Sequence, residues 1–409
     1  MKYIIIILFL VIPMCSYGFD KSFFDFDENL ITVTKYEVLS LLPDPFLFDN
    51  GKRVKTKEDW DKRREEIYKY AVELQYGTIP PQPEVLKYDL IYLSNSNEYH
   101  KNLQTRFYRI ICGTKEKQLT FFMKLMIPLG VERPNIVLDG DLCFQTITHS
   151  YYDPFFERGI AYATFNRCEL ADDMGPERRK GPLYEIYPDY SFGAIGAWAW
   201  GFMRCADVLE KLDMFDMSLL TFTGHSRGAK TAMLAGVLDE RAKIVNPNQS
   251  NCGSCSCYRI HFEGEGEDGF KEPGETLKDL WNAVHFWVGE DMGKYVDNEA
   301  DLPFDCHYLK ALVAPRVLLV GEAANDLWTN PIGSWQTSEA AKEVYDFLGC
   351  KDNLKWYFRR GYHSHTQEDS TLLVNLIMNL KEGEELLPYY YKTPFKPYEK
   401  IWDWKKPEK

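Results

Sequence analysis

A serine set between glycines, Gly224-His225-Ser226-Arg227-Gly228, is the stretch of this chain best suited to covalent chemistry. Residues 218–223 before it are apolar and β-branched, as in a buried strand, and residues 229–236 after it are rich in helix formers and end in glycine. A sharp turn from strand to helix strains the serine backbone and lifts its Oγ clear of a sheet. It also leaves the Arg227 N–H at a helix N-terminus, where a developing oxyanion is stabilised. Serine is a weak nucleophile at its free pKa, so it needs a histidine base that a carboxylate orients. Two later loops supply these groups. Asp326 follows the strand-like run at residues 317–320, and His363 follows the run at 356–358 in Arg360-Gly361-Tyr362-His363. His365 is the rival base; the Gly-x-His spacing favours His363 and leaves His365 to support a pocket. Glu322 is the next acid in line after Asp326, and His225 is expected to pack behind the turn.

The remaining pattern is the scaffold that must hold these groups. Strand-like runs lie at residues 105–112, 119–127, 134–140, 159–165, 218–223, 315–321 and 354–359. Helical patterns lie at 57–75, 193–212, 338–348 and 369–380. Such alternation implies an α/β fold, a mostly parallel central sheet with helices on both faces in a three-layer sandwich. The turn around Ser226 and the chain order Ser, acid, His are those of the α/β-hydrolase fold.

With 45% hydrophobic residues, the chain of 409 can bury a large core, and one hydrolase domain is expected over residues 19–409, with an N-terminal extension and a C-terminal tail that wraps the surface. Met1-Lys2, a following apolar run of about a dozen residues and Ser16-Tyr17-Gly18 have the layout of an export signal over residues 1–18. The run is short for a membrane span. Cys15 could carry a lipid at the outer surface, but Pro13-Met14 before it makes a poor lipobox. The expectation is therefore a periplasmic or extracellular monomer with no integral membrane span. A net charge of −13 without a basic cluster argues against nucleic acid as a partner. In an oxidising compartment Cys252, Cys255 and Cys257 are the first candidates to form disulfides. A zinc site would need a fourth ligand, and neither a second C-x-x-C nor a nearby His pair is present. No metal and no organic cofactor are expected.

Taken together these residues resemble the glucuronoyl esterases, carbohydrate esterase family 15, and the bacterial branch in particular. Gly224-His225-Ser226-Arg227-Gly228-Ala229-Lys230 is similar to that family's G-x-S-R-x-G-K motif. Tyr76-Gly77-Thr78-Ile79-Pro80, Ala163-Thr164-Phe165, Ala197-Trp198-Ala199-Trp200-Gly201, Leu302-Pro303-Phe304-Asp305-Cys306-His307 and Gly361-Tyr362-His363 are similar to further family segments. The likeness runs from about residue 55 to 385. It implies hydrolysis of the ester between a glucuronic or 4-O-methyl-glucuronic acid side group of xylan and a lignin-type alcohol, with no cofactor. It further implies that the Arg227 guanidinium reaches toward the oxyanion and that Lys230, one helical turn past Ser226, bonds sugar hydroxyls. Glu275, Trp287 and Gln249 would be further substrate contacts.

One departure bears on the acid. Many members of the family carry a glutamate 23 residues beyond the serine, where this chain has Gln249. An amide cannot supply the charge that stabilises an imidazolium, so the acid falls to Asp326, which resembles the alternative position of other members. His225 stands where the fungal branch has a disulfide-forming cysteine, and that bridge cannot exist here. Acetyl-xylan and feruloyl esterases share the elbow and triad; two cations, Arg227 and Lys230, suit a uronate better. A peptidase reading finds no separate propeller or lid domain. A non-catalytic carbohydrate-binding relative is disfavoured by the presence of Ser226, Asp326 and His363.

Overall fold

The computed structural model describes residues 19–95, 102–141, 148–173 and 179–408, so the leader expected at 1–18, with Cys15, lies outside the described residues. Twelve strands are described: β1 Thr32–Val38, β2 Val85–Ser94, β3 Leu103–Gly113, β4 Gln118–Pro128, β5 Asn135–Asp139, β6 Ala161–Phe165, β7 Asp216–His225, β8 Ile244–Asn248, β9 Ile260–Glu265, β10 Lys271–Pro273, β11 Val317–Ala323 and β12 Leu354–Arg359. Nine of them form one sheet in the order β12-β11-β8-β7-β5-β6-β4-β3-β2. Pairing is parallel from β12 through β6 and antiparallel among β6, β4, β3 and β2.

Alternation along the strands decides which layer each side chain enters. Ile136 and Leu138 of β5, with Leu318 and Val320 of β11, face the core built with helices Lys57–Tyr68, Ala194–Leu212, Arg227–Leu238, Cys306–Val313 and Pro331–Leu348. Val137 and Leu319 face the other side, against Tyr151 and Phe155 of helix His149–Glu157 and Leu372 and Leu376 of helix Gln367–Glu382. Both faces are therefore covered, as an apolar parallel sheet requires. The first helix winds on past Tyr68 as a π-helical segment, Lys69–Leu74.

Three features depart from the sequence pattern. Strand β8 carries Asn246, Pro247 and Asn248, poor strand formers, yet is fully buried. Its amides are answered within the sheet, Thr223 Oγ1 donating to Asn246 Oδ1 at 2.9 Å. A second sheet, β1-β9-β10, is antiparallel throughout and folds residues 260–273 back toward the site. Finally, Cys252, Cys255 and Cys257 are buried free thiols, which corrects the expected pairing. Each is packed separately, Cys257 Sγ donating toward Asp305 Oδ2 at 3.4 Å, and burial pushes all three thiols up from their usual pKa.

The tail from Tyr389 lies along the N-terminal segment, with Trp404 Nε1 donating to the Leu42 carbonyl at 3.1 Å and Lys392 Nζ to the Phe24 carbonyl at 2.7 Å. Among the described residues no helix is long and apolar enough to cross a membrane.

One buried tie fixes the loop between β12 and the last helix. Arg359, at the strand end, donates from Nε to Asp369 Oδ1 at 2.9 Å and from Nη2 to the Ser364 carbonyl at 2.5 Å. Asp369 also accepts from Tyr357 Oη at 2.9 Å and from the Thr366 N–H at 2.9 Å, capping helix Gln367–Glu382. Burial alone would raise the Asp369 pKa; the Arg359 charge and hydrogen bond outweigh it and hold the carboxyl below its usual value. Its contribution to stability is thus present above the unfolded-state carboxylate pKa and is lost as pH falls through the lower folded value. Removing one partner of a buried pair leaves the other uncompensated, so Asp369→Ala should lower unfolding free energy by about 3–5 kcal/mol. Guanidinium chloride denaturation measures this, and a loss below about 1 kcal/mol, the ceiling for a surface pair, would show that the tie is not structural.

Candidate active site

The elbow is built from backbone approach. An ideal Cβ on Gly224 would lie 2.4 Å from the Gly228 carbonyl oxygen, so only glycine lets β7 run into helix Arg227–Leu238 within so short a turn. Ser226 sits at φ 57° and ψ −124°, a sparsely populated region for a residue with a side chain. Its N–H donates to the Asn248 carbonyl of neighbouring β8 at 3.0 Å, and its own carbonyl accepts from Ala229 N at 3.0 Å. The strain is held from both sides.

Two further strand ends complete a hydrogen-bonded chain. Ser226 Oγ lies 2.8 Å from His363 Nε2, and His363 Nδ1 lies 2.6 Å from Asp326 Oδ2. Asp326 follows β11 and is buried, whereas the His363 side chain is 40% exposed and open to a ligand. The two loops are stitched together: Ala324 N donates to the Arg359 carbonyl at 2.7 Å, and Asn325 N to that of Gly361 at 3.1 Å. The arrangement can hold a proton on Nδ1 toward Asp326 while Nε2 accepts the serine proton.

The other titratable candidates lie elsewhere. His365 is buried, its ring 4.0 Å from Tyr151 and 5.4 Å from His225, and burial holds it well below its usual pKa. His225 packs behind the elbow, bonded through Nδ1 to Asn248 Oδ1 at 2.8 Å, and burial lowers its pKa to about 4. Both rings are neutral spacers. Glu322 accepts from Ser334 Oγ at 2.6 Å, and burial raises its pKa to about 7.

Gln249 is not where a substrate contact belongs, which corrects that expectation. It is fully buried at φ 50°, its Nε2 donating to the Ser364 carbonyl at 2.9 Å while its Oε1 accepts from the Ser364 N–H at 3.2 Å. An amide can donate and accept at once, and here it clamps the residue next to His363. Sequence showed the missing charge but not this clamp.

Two cavities meet at Ser226, Arg227 and His363. The first, about 470 Å³, is lined among others by Lys230, Glu275, Trp287 and Glu272. Lys230 is among its lining residues but is only 3% exposed. Its Nζ donates to the carbonyls of Ser250 and Cys252 and pairs with Glu275 Oε2 at 3.6 Å. Burial raises the Glu275 pKa, with Lys230 opposing. Trp287 is buried, and the Arg227 guanidinium carbon stands 4.8 Å from its ring centroid.

Arg227 is positioned by groups that sequence reasoning passed over. Its Nη1 donates to Asp173 Oδ1 at 3.1 Å, and Asp173 Oδ2 accepts from Arg167 Nη2 at 2.9 Å. Arg167, buried over the Trp198 ring at 5.2 Å, continues to Asp141 and to the Gly140 carbonyl. This alternating row links the end of β5 to the oxyanion side of the elbow. Arg167 stands just past the family-like Ala163-Thr164-Phe165 segment, but no spacing in the sequence joins it, Asp141 or Asp173 to Arg227. The second cavity, about 680 Å³, lies on this side, lined by Asp141, Ser150, His365, Thr366 and Glu368 among others.

A family model described as "Glucuronyl esterase, fungi" matches residues 110–349. The 4-O-methyl-glucuronoyl methylesterase 1 of Wolfiporia cocos is 29% identical over 337 residues, 81% of this chain and 78% of the relative. A carbohydrate esterase family 15 glucuronoyl esterase from Caldicellulosiruptor kristjansonii superposes with a TM-score of 0.76 at 30% identity, covering 89% of this chain and 96% of that one. The glucuronoyl esterase catalytic domain from Hypocrea jecorina does so at 0.69 and 25% identity, covering 91% and 98%. The family match takes in the elbow and its flanking strands over more than half of the sequence, and the chain belongs to the glucuronoyl esterases, carboxylic ester hydrolases on the α/β-hydrolase fold.

Proposed function

We propose that this chain hydrolyses the ester of a glucuronic or 4-O-methyl-glucuronic acid side group of xylan with an alcohol of the lignin type, through a Ser226-His363-Asp326 triad. The observation that carries the reading is the unbroken hydrogen-bonded row from Asp326 through His363 to Ser226, opening on a cavity lined by Lys230, Glu275 and Trp287. Names of relatives such as 4-O-methyl-glucuronoyl methylesterase support the substrate class.

Ser226 Oγ attacks the ester carbonyl as His363 takes its proton, giving a tetrahedral oxyanion. The Arg227 N–H at the helix N-terminus and the Arg227 guanidinium face that charge. His363 then protonates the departing alcohol, which leaves through the larger cavity. Water, deprotonated by His363, attacks the acyl-enzyme and releases the uronic acid. Asp326 holds the imidazole in the tautomer that both half-reactions need.

Each cation beside Ser226 has a carboxylate partner within the protein, Asp173 for Arg227 and Glu275 for Lys230. The uronate pocket is therefore polar without a large excess of charge, which suits a neutral ester. Export as a monomer remains the accompanying proposal, consistent with a substrate that lies outside the cell.

Initial rates on methyl glucuronate, its galacturonate epimer and p-nitrophenyl acetate test the substrate class; the glucuronate ester should be the best of the three, and preference for the acetate would overturn the reading. Asp326→Asn should lower kcat by about 10⁴-fold with the fold intact, as loss of a triad acid does. Near-wild-type turnover would move the acid role elsewhere. Asp173→Asn should lower kcat about tenfold with KM changed less than about twofold, because a loosened donor weakens only the transition state. An unaltered kcat in that variant would show that Asp173 does not position Arg227.

A further inference from the structure

The β9–β10 hairpin is docked onto the loop that carries His363. Arg360 pairs with Glu267 at 3.3 Å, and Asn325 Nδ2 donates to Glu267 Oε1 at 3.2 Å. One carboxylate then joins two aromatic residues across this junction. Asp268 Oδ1 accepts from the Phe270 N–H at 3.1 Å, and Asp268 Oδ2 accepts from Tyr362 Oη at 2.7 Å. A further bond, Gly266 N to the Phe270 carbonyl at 2.9 Å, closes the turn.

Phe270 and Tyr362 are nonetheless 57% and 51% exposed, and both line the cavity that holds Lys230, Glu275 and Trp287. Single exposed aromatics are ordinary. Here one carboxylate ties the Phe270 backbone N–H to the Tyr362 hydroxyl at the mouth of the catalytic cavity, which fixes where the two residues stand before a ligand arrives. The cavity's 470 Å³ lies in the range that takes drug-sized ligands, larger than one pyranose ring needs. Trp287 lies buried in it, and the two exposed rings stand where the same ligand would emerge.

We propose that Phe270 and Tyr362 form an aromatic subsite for the neutral pyranose ring to which the uronic acid is linked. The proposal rests on the uronate-ester reading for its orientation. The uronate occupies the cavity shared with Trp287, the alcohol leaves by the other, and the glycosidic side of the uronate points to the rim. Aromatic faces accept the C–H surface of a pyranose. The Glu272 carboxylate, which lines the same cavity, is an acceptor for its hydroxyls, and the acidic rim of Glu267, Asp268 and Glu272 disfavours a second uronate there.

The test compares two esters of the same acid, methyl glucuronate and the methyl ester of a glucuronoxylotriose, on wild type, Phe270→Ala and Phe270→Tyr. The ratio of kcat/KM for the oligosaccharide to that for the monosaccharide should fall roughly fivefold in Phe270→Ala, the size of an aromatic contact, and recover in Phe270→Tyr. A ratio unchanged in Phe270→Ala overturns the subsite, whether both rates fall together or neither moves. Calorimetric titration of the wild type with xylotriose, which has no ester, reads the subsite independently of turnover. Binding that Phe270→Ala weakens supports it; absent or equal binding overturns it. Failure to hydrolyse either ester would instead overturn the activity, and the xylotriose titration would still decide the subsite.

Discussion

The site depends on two backbones coming closer than side chains permit. Gly224 lets β7 meet the backbone of the Arg227–Leu238 helix at Gly228, and Ser226 is left at φ 57° between the two glycines. Such a conformation costs on the order of 1–3 kcal/mol and persists only when its surroundings over-determine it. Here β5 and β8 pair with β7 on either side, and the helix packs onto the same strand. The consequences propagate outward. Oγ stands at the turn between strand and helix, the next N–H belongs to the first residue of the helix, and Lys230 lies one turn along it. The strand ends that bring Asp326 and His363 are those nearest on the β8 side.

Much of this was legible because it is local. The glycines, the apolar run before them and the helix formers after them lie within about twenty residues, and strand–helix alternation supplied the fold class. Strand ends also located Asp326 and His363, since chain order and topology constrain where an acid and base can fall. What escaped depends on contacts across the chain. Gln249 meets Ser364, 115 residues away, so no spacing announces a clamp. Asp173 and Arg167 act on Arg227 from a different part of the fold. Pro247 and two asparagines disguise β8, because their polar groups are satisfied only once neighbouring strands are in place. Cysteine spacing suggested bridges, but burial separates the three thiols instead.

Electrostatically the site is divided into compensated compartments. Arg359 answers Asp369, Arg167 answers Asp141 and Asp173, and Lys230 answers Glu275. Desolvation keeps His225 and His365 neutral, so the wall behind the triad holds no competing positive charge. Among these three neighbouring imidazoles, His363 has side-chain partners on both ring nitrogens, the Asp326 carboxylate on one side and Ser226 Oγ on the other.

The amide of Gln249 has a wider implication. Where a glutamate stands, one carboxylate can anchor the base loop and polarise the base, so acid strength and loop geometry are bound to a single proton. Here different residues make these contacts: the uncharged Gln249 amide clamps Ser364, and the Asp326 carboxylate bonds His363 Nδ1. In the proposed mechanism, protonating Asp326 would silence His363 without releasing the loop that carries it. Mechanical order and chemical activation have become separately adjustable, and each is open to change by substitutions that leave the other untouched.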